Sequence, residues 1–295
     1  MATPRRSSGA PSSIRDPRVS RIGVITNPRR EEAINARDKL ESWCESRGHA
    51  AKRIAAPQDC LGLEVVVALG GDGTMLRAME LSLVYQTPVI GVNFGHLGYL
   101  TEVEPDELFL AIERFFTGDH RIEERTTLEI RLHRLGGADP TERFYAVNEV
   151  VVEKSHSGNV VKLGVSIAGV PFLDYEADGI IVSTPTGSTA YSFSARGPVV
   201  SPRMSAMVLT PVSPHMLFDR AMVLEPDEEV EIRVLGGQDA TLMVDGVNRE
   251  VLKVGESIIC RASSLNARLV KFEERDFRSI LKAKFGLANK DMGEL

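Results

Sequence analysis

The chain has 295 residues, a formal net charge of −6 at pH 7, 43% hydrophobic residues and 26% charged ones. This is the make-up of a soluble globular protein with enough apolar material for two domains of about 150 residues each. The acidic balance argues against a sequence-independent nucleic-acid binder, which needs a basic footprint, and no apolar run approaches the roughly 18 residues of a membrane span.

The first stretch, MATPRRSSGAPSSIRDPR, is rich in Pro, Ser and Arg and has no apolar signal core. Residues 1–18 are therefore expected to form a disordered tail rather than a signal peptide. From Arg21 strand and helix alternate. RIGVIT reads as a strand, Asn27 and Pro28 as a turn, and residues 31–47 as an amphipathic helix on Ile34, Leu40 and Trp43, stopped by Gly48. AAKRI is a weak strand, and LEVVVAL has the pattern of one buried on both faces. A helical stretch then runs to about Leu83, PVIGVN is another buried strand, and Leu108, Ile112, Phe115 and Phe116 mark one more helix. Such alternation implies a doubly wound, parallel α/β domain over residues 19–121.

Near Arg121 the texture changes. TTLEIRLHRL, RFYAVNEVVVEK, VVKLGVSIAG, MVLTPV, EVEIRVL, ATLMVDG, REVLKV and LNARLVKF are short β-rich runs broken by Gly, Pro and Asp. They predict an antiparallel all-β domain over residues 122–274. Helical spacing returns at Phe277, Ile280, Leu281 and Phe285, within a last segment of 275–295. Cys44, Cys60 and Cys260 show no Cys-x-x-Cys spacing and read as reduced, packing thiols of a cytoplasmic protein.

Four stretches could carry chemistry. In GGDGT, Gly70, Gly71 and Gly73 bare the backbone at the end of a buried strand, where a helix N-terminus favours a phosphate oxyanion. Asp72 stands at that strand end, Thr74 follows, and Arg77 lies one helical turn further on. The plainer reading is a βα turn in which Asp72 caps the helix. No Walker loop and no dinucleotide Gly-x-Gly-x-x-Gly occurs between a strand and a helix.

The second stretch, ADGIIVSTPTGSTAYSFSARGPVV at 177–200, reads either as a long hydrophilic loop or as a ligand-reading segment. Ser183, Thr184, Thr186, Ser188 and Thr189 offer neutral donors and acceptors, and Tyr191 a flat face with a hydroxyl anchor. In VNEVVV, Asn148 and Glu149 point to opposite faces of a strand, so both serve one ligand only at a bend or sheet end. In VDGVN, Asp245–Gly246 is a strong hairpin signal. His96, His133 and His215 have no readable partner spacing and are expected as packing or surface residues.

Together and in this order, GGDGT, GVNFGHLGYL, NEVVV and DGIIVSTPTGSTAYSFSA resemble the motifs of the NAD kinase family, ATP- or polyphosphate-dependent phosphotransferases acting on the 2′-hydroxyl of NAD. GGDGT alone also occurs in related forms in diacylglycerol, sphingosine and 6-phosphofructokinases, whereas TPTGSTAYS is close to diagnostic. One departure is Arg196, which stands where many members of that family have glycine. The resemblance implies an N-terminal α/β domain, a β-sandwich-like C-terminal domain that binds NAD, and a C-terminal segment packing back on the first domain. It also implies a site in the interdomain cleft, and a homodimer or homotetramer.

By the same resemblance Asp72 matches the catalytic base, and Glu149 an acceptor for ribose hydroxyls. Asn148, Thr189, Tyr191 and Ser194 match the surroundings of adenine, and Ala190, Ser192 and Phe193 in the same run are expected to bind NAD. Asp178 matches a carboxylate near the nicotinamide half, and Asp245 a ribose contact. Asp72 and Gly73 would face NAD, while Gly70, Gly71, Gly73, Thr74 and Arg77 would cradle the donor phosphates, bridged by Mg²⁺ or Mn²⁺. The rival readings are a lipid or sugar kinase that shares only the glycine–aspartate turn, and a non-catalytic NAD(H)-sensing module.

Overall fold

The computed structural model describes residues 20–95, 98–136, 142–274 and 276–286. The tail expected at 1–18, His96, and the last segment beyond Gly286 lie outside the described residues.

The first domain comprises β1 (Arg21–Thr26), α1 (Glu31–Ser46), β2 (Ala50–Arg53), β3 (Val65–Gly70), α2 (Asp72–Ser82), β4 (Val89–Asn93), α3 (Leu108–Thr117) and β5 (Arg121–Arg125). Strand β3 is buried at every position. Val65, Val67 and Leu69 share a core with Ala33 and Leu40 of α1 and with Leu108 and Ile112 of α3. Val66 and Ala68 face the other way, onto Met75, Ala78 and Met79 of α2. The period-2 alternation of a strand thus feeds two apolar layers, which is why the run reads as apolar throughout.

The second domain comprises β6 (Leu128–His133), β7 (Glu142–Ala146), β8 (Glu149–Lys154), β9 (Val161–Ile167), β10 (Val170–Ala177), β11 (Gly179–Ser183), α4 (Tyr191–Ser194), β12 (Met207–Val212) and β13 (Met222–Leu224). It continues with β14 (Val230–Gly236), β15 (Ala240–Val244), β16 (Val247–Leu252) and β17 (Ser257–Ala262). Two antiparallel six-stranded sheets result, ordered β10-β9-β14-β17-β6-β7 and β13-β12-β11-β8-β15-β16. Each turns one apolar face inward: Ile130, Leu163 and Ile232 of one sheet share a core with Val150, Ile180 and Leu242 of the other. This is a β-sandwich.

Three expectations are corrected. The run LNARLVKF forms β18 (Ala267–Lys271), which leaves the sandwich and enters the first sheet, giving the order β2-β1-β3-β4-β18-β5. There it pairs parallel with β4 and antiparallel with β5, with Leu269 and Val270 buried on opposite faces. The α/β domain is therefore closed by a strand from beyond the sandwich, and the sheets do not divide at residues 121 and 274. The single run RFYAVNEVVVEK is two strands in different sheets, with Val147 and Asn148 crossing between them. Finally, Gly179–Ser183 is not irregular: it is β11, wholly buried between β8 and β12.

The last helix, α5 (Phe277–Lys284), begins at Asp276, whose side chain accepts the Arg278 N–H. Phe277 at its start stands 6.4 Å, ring to ring, from Tyr99 of the α/β domain. All three cysteines are buried and unpaired. Among the described residues no helix is long and apolar enough to cross a membrane.

Candidate active site

Strand β3 delivers the glycine turn to the C-terminal edge of the parallel sheet, where open α/β sheets bind ligands. A Cβ on Gly70 would lie 2.2 Å from Thr74 Oγ1, so only glycine permits the turn to close on its helix. At Gly71 and Gly73 nothing lies within 4 Å of a Cβ position, so those two leave backbone open to the cleft. Gly71 is the N-cap of α2 and no side chain caps it.

Asp72 therefore does not cap its own helix. Its Oδ2 accepts the Tyr99 N–H at 3.0 Å and its Oδ1 the Leu100 N–H at 3.1 Å. The second glycine of GHLGYL explains how close the approach is: a Cβ on Gly98 would lie 2.3 Å from Asp72 Oδ1. From the far end of the chain Lys284 Nζ approaches Asp72 Oδ2 at 3.4 Å.

An open cleft beside the turn is lined by Gly71, Asp72, Gly73 and Thr74, and by Asn27, Arg29, Arg30 and Gly95 opposite them. The Asn27 N–H bonds the Leu69 carbonyl at 2.9 Å, tying the end of β1 to the end of β3. Sequence reasoning missed Arg29 and Arg30. The available signal was two cations directly after an Asn-Pro turn at the C-terminal end of a parallel strand. Arg77 borders the same cleft, but its guanidinium pairs with Glu80 at 2.6 Å and donates to the Ala55 carbonyl at 3.2 Å.

The second half of the site is the crossover between the two sandwich sheets. Asn148 and Glu149 stand at this corner, the one setting in which neighbouring strand residues serve one ligand. Asp245, in the hairpin between β15 and β16, pins it: Oδ2 accepts the Val147 N–H at 2.8 Å, and Oδ1 those of Asn148 at 2.7 Å and Glu149 at 3.1 Å. Asp245 is thus a clamp as well as a turn residue.

Burial, reinforced by the Asp245 charge and opposed by the Tyr191 N–H, pushes the Glu149 carboxyl up to about 8. Burial likewise raises Asp245 to about 6, against the three backbone N–H groups that favour its charge, with Glu80 adding repulsion. Glu149 Oε2 and the Ser183 hydroxyl are buried without a hydrogen-bond partner among the described residues, and the two residues are register partners across β8 and β11.

The segment after β11 folds over this corner by turning its own hydroxyls onto the backbone. Thr184 Oγ1 donates to the Val147 carbonyl at 2.7 Å and accepts the Gly187 N–H at 3.0 Å. Ser188 Oγ donates to the Pro185 carbonyl at 2.7 Å and accepts the Val200 N–H at 2.9 Å. The Ser192 hydroxyl is buried against that of Thr210, 2.9 Å away. These three groups fix the segment. The half-buried or exposed Thr189, Ala190, Tyr191, Phe193 and Ser194 remain to meet a ligand.

Close approach again demands glycine, since a Cβ on Gly187 would lie 2.1 Å from the Asn148 carbonyl oxygen. Arg196 adopts φ +68°, the left-handed conformation that glycine takes freely, so the loop closes through it at a strain of about 1–2 kcal/mol. The Tyr191 hydroxyl bonds Glu153, and burial raises the pKa of both groups. Asp178 is ion-paired with Lys154 at 2.5 Å.

The fold brings the halves together. Met75, Ala78 and Met79 of α2 share a core with Val147 of the crossover and with Leu100. Glu80 on the same helix pairs with Arg249 of β16 at 2.7 Å. Among the described residues no group of three or more His, Cys, Asp or Glu could cage a metal ion.

A glycine turn opening on a basic cleft, set against a β-sandwich corner with a buried carboxylate, defines a two-domain nucleotide-handling protein. Comparison with known proteins agrees. Residues 51–120 match the ATP-NAD kinase N-terminal domain and residues 147–272 the ATP-NAD kinase C-terminal domain. The chain is 39% identical over 277 residues to the NAD kinase of Heliobacterium modesticaldum, covering 89% of this chain and 97% of that protein. To the NAD kinase of Moorella thermoacetica it is 38% identical, covering 90% and 89%. The chain belongs to the NAD kinase family.

Two solved structures share the fold. A yeast NADH kinase complexed with NADH superposes with a TM-score of 0.84 at 23% identity, over 94% of this chain and 90% of that one. An NAD kinase from Archaeoglobus fulgidus in complex with ATP gives 0.71 at 21% identity, over 92% and 99%.

Proposed function

We infer that this chain is an NAD kinase, transferring the γ-phosphoryl group of ATP to the 2′-hydroxyl of the adenosine ribose of NAD. The observation that carries the reading is the placing of two unlike carboxylates, one at the N-terminus of α2 and the other two residues beyond Val147, which packs on that helix. Asp72 stands in the open cleft beside the glycine turn, and Glu149 is buried at the sandwich corner with an unpartnered oxygen.

In this reading Glu149 and Asn148 hold the ribose and adenine, with Thr189, Ala190, Tyr191, Phe193 and Ser194 beside them and Ser192 fixing their loop. Asp245 acts through the backbone it pins, and Asp178 borders the nicotinamide half. The open backbone of Gly71 and Gly73, with Thr74, receives the donor phosphates. Arg29 and Arg30 line the same cleft from the turn after β1, and Arg77 can join only by leaving Glu80. The transfer itself is a loose displacement governed by positioning and charge. The 2′-oxygen forms the new bond to phosphorus as the bond to the β–γ bridging oxygen breaks. The hydroxyl proton passes to Asp72, and ADP leaves with the electron pair. A divalent cation, Mg²⁺ or Mn²⁺, supplies further charge neutralisation when bound with the donor. Polyphosphate offers the same phosphoryl chemistry and is the second donor to test. The family resemblance supports a homodimer or homotetramer, and three thiols without disulfide spacing support a cytoplasmic setting.

The test is to incubate the protein with ATP, Mg²⁺ and NAD and couple the product to an NADP-specific dehydrogenase. NADP formation is expected. Binding of NAD without turnover would instead make the chain a sensing module, and phosphorylation of a lipid or hexose phosphate in place of NAD would make it a different kinase.

A further inference from the structure

Lys284 reaches the cleft from the end of α5, and three observations place its ammonium there. Its Nζ lies 3.4 Å from Asp72 Oδ2 and 4.1 Å from the centroid of the Tyr99 ring, the residue whose N–H donates to the same oxygen. The helix that carries it is seated at both ends on the site. Phe277 stands against Tyr99, and Phe285, the residue after Lys284, lies 4.8 Å ring to ring from Phe193 in the segment over the sandwich corner. The lysine side chain keeps 36% of its surface exposed, so the ammonium borders solvent rather than a closed core.

Folding alone does not account for this placement. The Asp72 carboxylate already has two backbone donors. A cation near the C-terminus of α5 would complement the helix dipole, but Lys282 does so equally from an exposed position. The other cation beside Asp72 on its own helix, Arg77, is bound to Glu80 and Ala55. A flexible four-carbon stem ending in a point charge suits a group that must follow charge as it moves.

We propose that Lys284 is a further residue of the phosphoryl transfer. In the free protein its ammonium balances Asp72, and with donor bound it stands between Asp72 and the group in transit, holding the phosphoryl oxygens. It contributes charge to the step and no proton. The assignment rests on the NAD kinase reading above.

Three variants test it in the full chain. Lys284→Met keeps an apolar stem on Tyr99 and removes the charge, Lys284→Arg restores a cation, and Lys282→Met is the control on the same helix. The readouts are kcat and KM for ATP in the coupled assay, NAD affinity by calorimetry, and the thermal midpoint. Lys284→Met is expected to lower kcat/KM for ATP by about tenfold or more with NAD affinity changed less than about twofold. The arginine variant should recover most of the loss, and Lys282→Met should match wild type. Wild-type kcat and KM for ATP in Lys284→Met would overturn the proposal. So would equal losses in Met and Arg variants accompanied by a lowered midpoint, because that pattern belongs to helix packing. If the wild-type protein made no NADP, the kinase reading would fail instead. Protection of the thermal midpoint by ATP would then decide on Lys284: smaller protection in Lys284→Met supports it, and equal protection overturns it.

Discussion

Asp245 and Glu149 are joined twice. The Asp245 N–H donates to the Glu149 carbonyl at 3.0 Å while Asp245 Oδ1 accepts the Glu149 N–H at 3.1 Å. The same carboxylate receives the N–H groups of Val147 and Asn148, so one side chain sets the backbone of the whole crossover.

Asp245→Asn separates this clamp from the turn. Asparagine tolerates the left-handed conformation that Asp245 adopts at φ +47°, so the hairpin survives. The amide keeps one acceptor oxygen and turns a donor toward a backbone N–H, leaving that group without a partner. Such a loss costs about 1–3 kcal/mol. We expect KM for NAD to rise about tenfold or more with KM for ATP unchanged, measured in the coupled assay. An unaltered KM for NAD would show that the crossover holds its shape without the carboxylate.

Glu149 gives a pH signature. Its carboxyl is raised from 4.5 to about 8 in the folded protein, chiefly by burial. Between those values the folded state retains a proton that the unfolded state has released, so stability falls as pH rises through this window and levels off above it. Glu149→Gln removes the titration. The variant should therefore gain on wild type in thermal midpoint from about pH 4.5 to 8, and the gain should disappear in acid. Its affinity for NAD should fall about ten- to hundredfold while that for ATP holds, since a charged acceptor bond is worth roughly 1.5–3 kcal/mol. Ribose hydroxyls donating to the carboxylate would also favour its ionisation. NAD binding near pH 7 should then release protons, read as a dependence of calorimetric heat on buffer ionisation enthalpy.

Gly98 tests how closely the loop after β4 must approach. A Cβ there would meet Asp72 Oδ1 at 2.3 Å and Thr101 Oγ1 at 2.6 Å. Gly98→Ala should displace the Asp72 carboxylate and slow turnover about a hundredfold, as misplacing a reacting group by an ångström does. Gly48→Ala is the contrast. Its φ of +72° makes alanine strained by about 1–2 kcal/mol, but open space surrounds it, so turnover should be kept. Equal turnover in both variants would mean that the loop yields without moving Asp72.

Much of the fold is legible in the sequence because its signals are local. The strands β1, β3 and β4 are buried apolar runs bounded by turns, and Gly48 and Gly118 stop α1 and α3 in left-handed conformations. What the sequence hides are choices of partner. Ala146, Val150 and Val152 all enter one core, so nothing in their pattern reveals that the chain changes sheets between them. ARLVK is an apolar strand whichever sheet it joins. Strand β10 escaped notice because Pro171 interrupts its pattern at a register shift, a position tolerated on this sheet edge. In the site, Asp72, Glu149 and the TPTGSTAYS run stand out by composition. Lys284 does not, because 212 residues separate it from Asp72 and only the return of the chain through β18 brings them together.

Asp72→Asn decides whether GGDGT is a site or a turn. The N-cap of α2 is Gly71, so the carboxylate is not needed to start its own helix. It does bind the Tyr99 and Leu100 N–H groups through different oxygens, and asparagine turns its NH2 group toward one of them. A loss of about 1–3 kcal/mol in stability is therefore expected whatever the chemistry. That is a shift of several degrees in thermal midpoint for a chain of this size. Catalysis separates the two readings. The amide cannot take the ribose proton, and loss of a general base costs about 10²–10⁴ in rate. We expect the variant to fold, to bind NAD with an affinity close to wild type, and to turn over at least about a hundredfold more slowly. The decisive comparison is kcat at saturating NAD and ATP, at a temperature where both proteins are fully folded. Turnover within a few-fold of wild type there would leave Asp72 as a clamp on the loop at Tyr99 and Leu100 and nothing more.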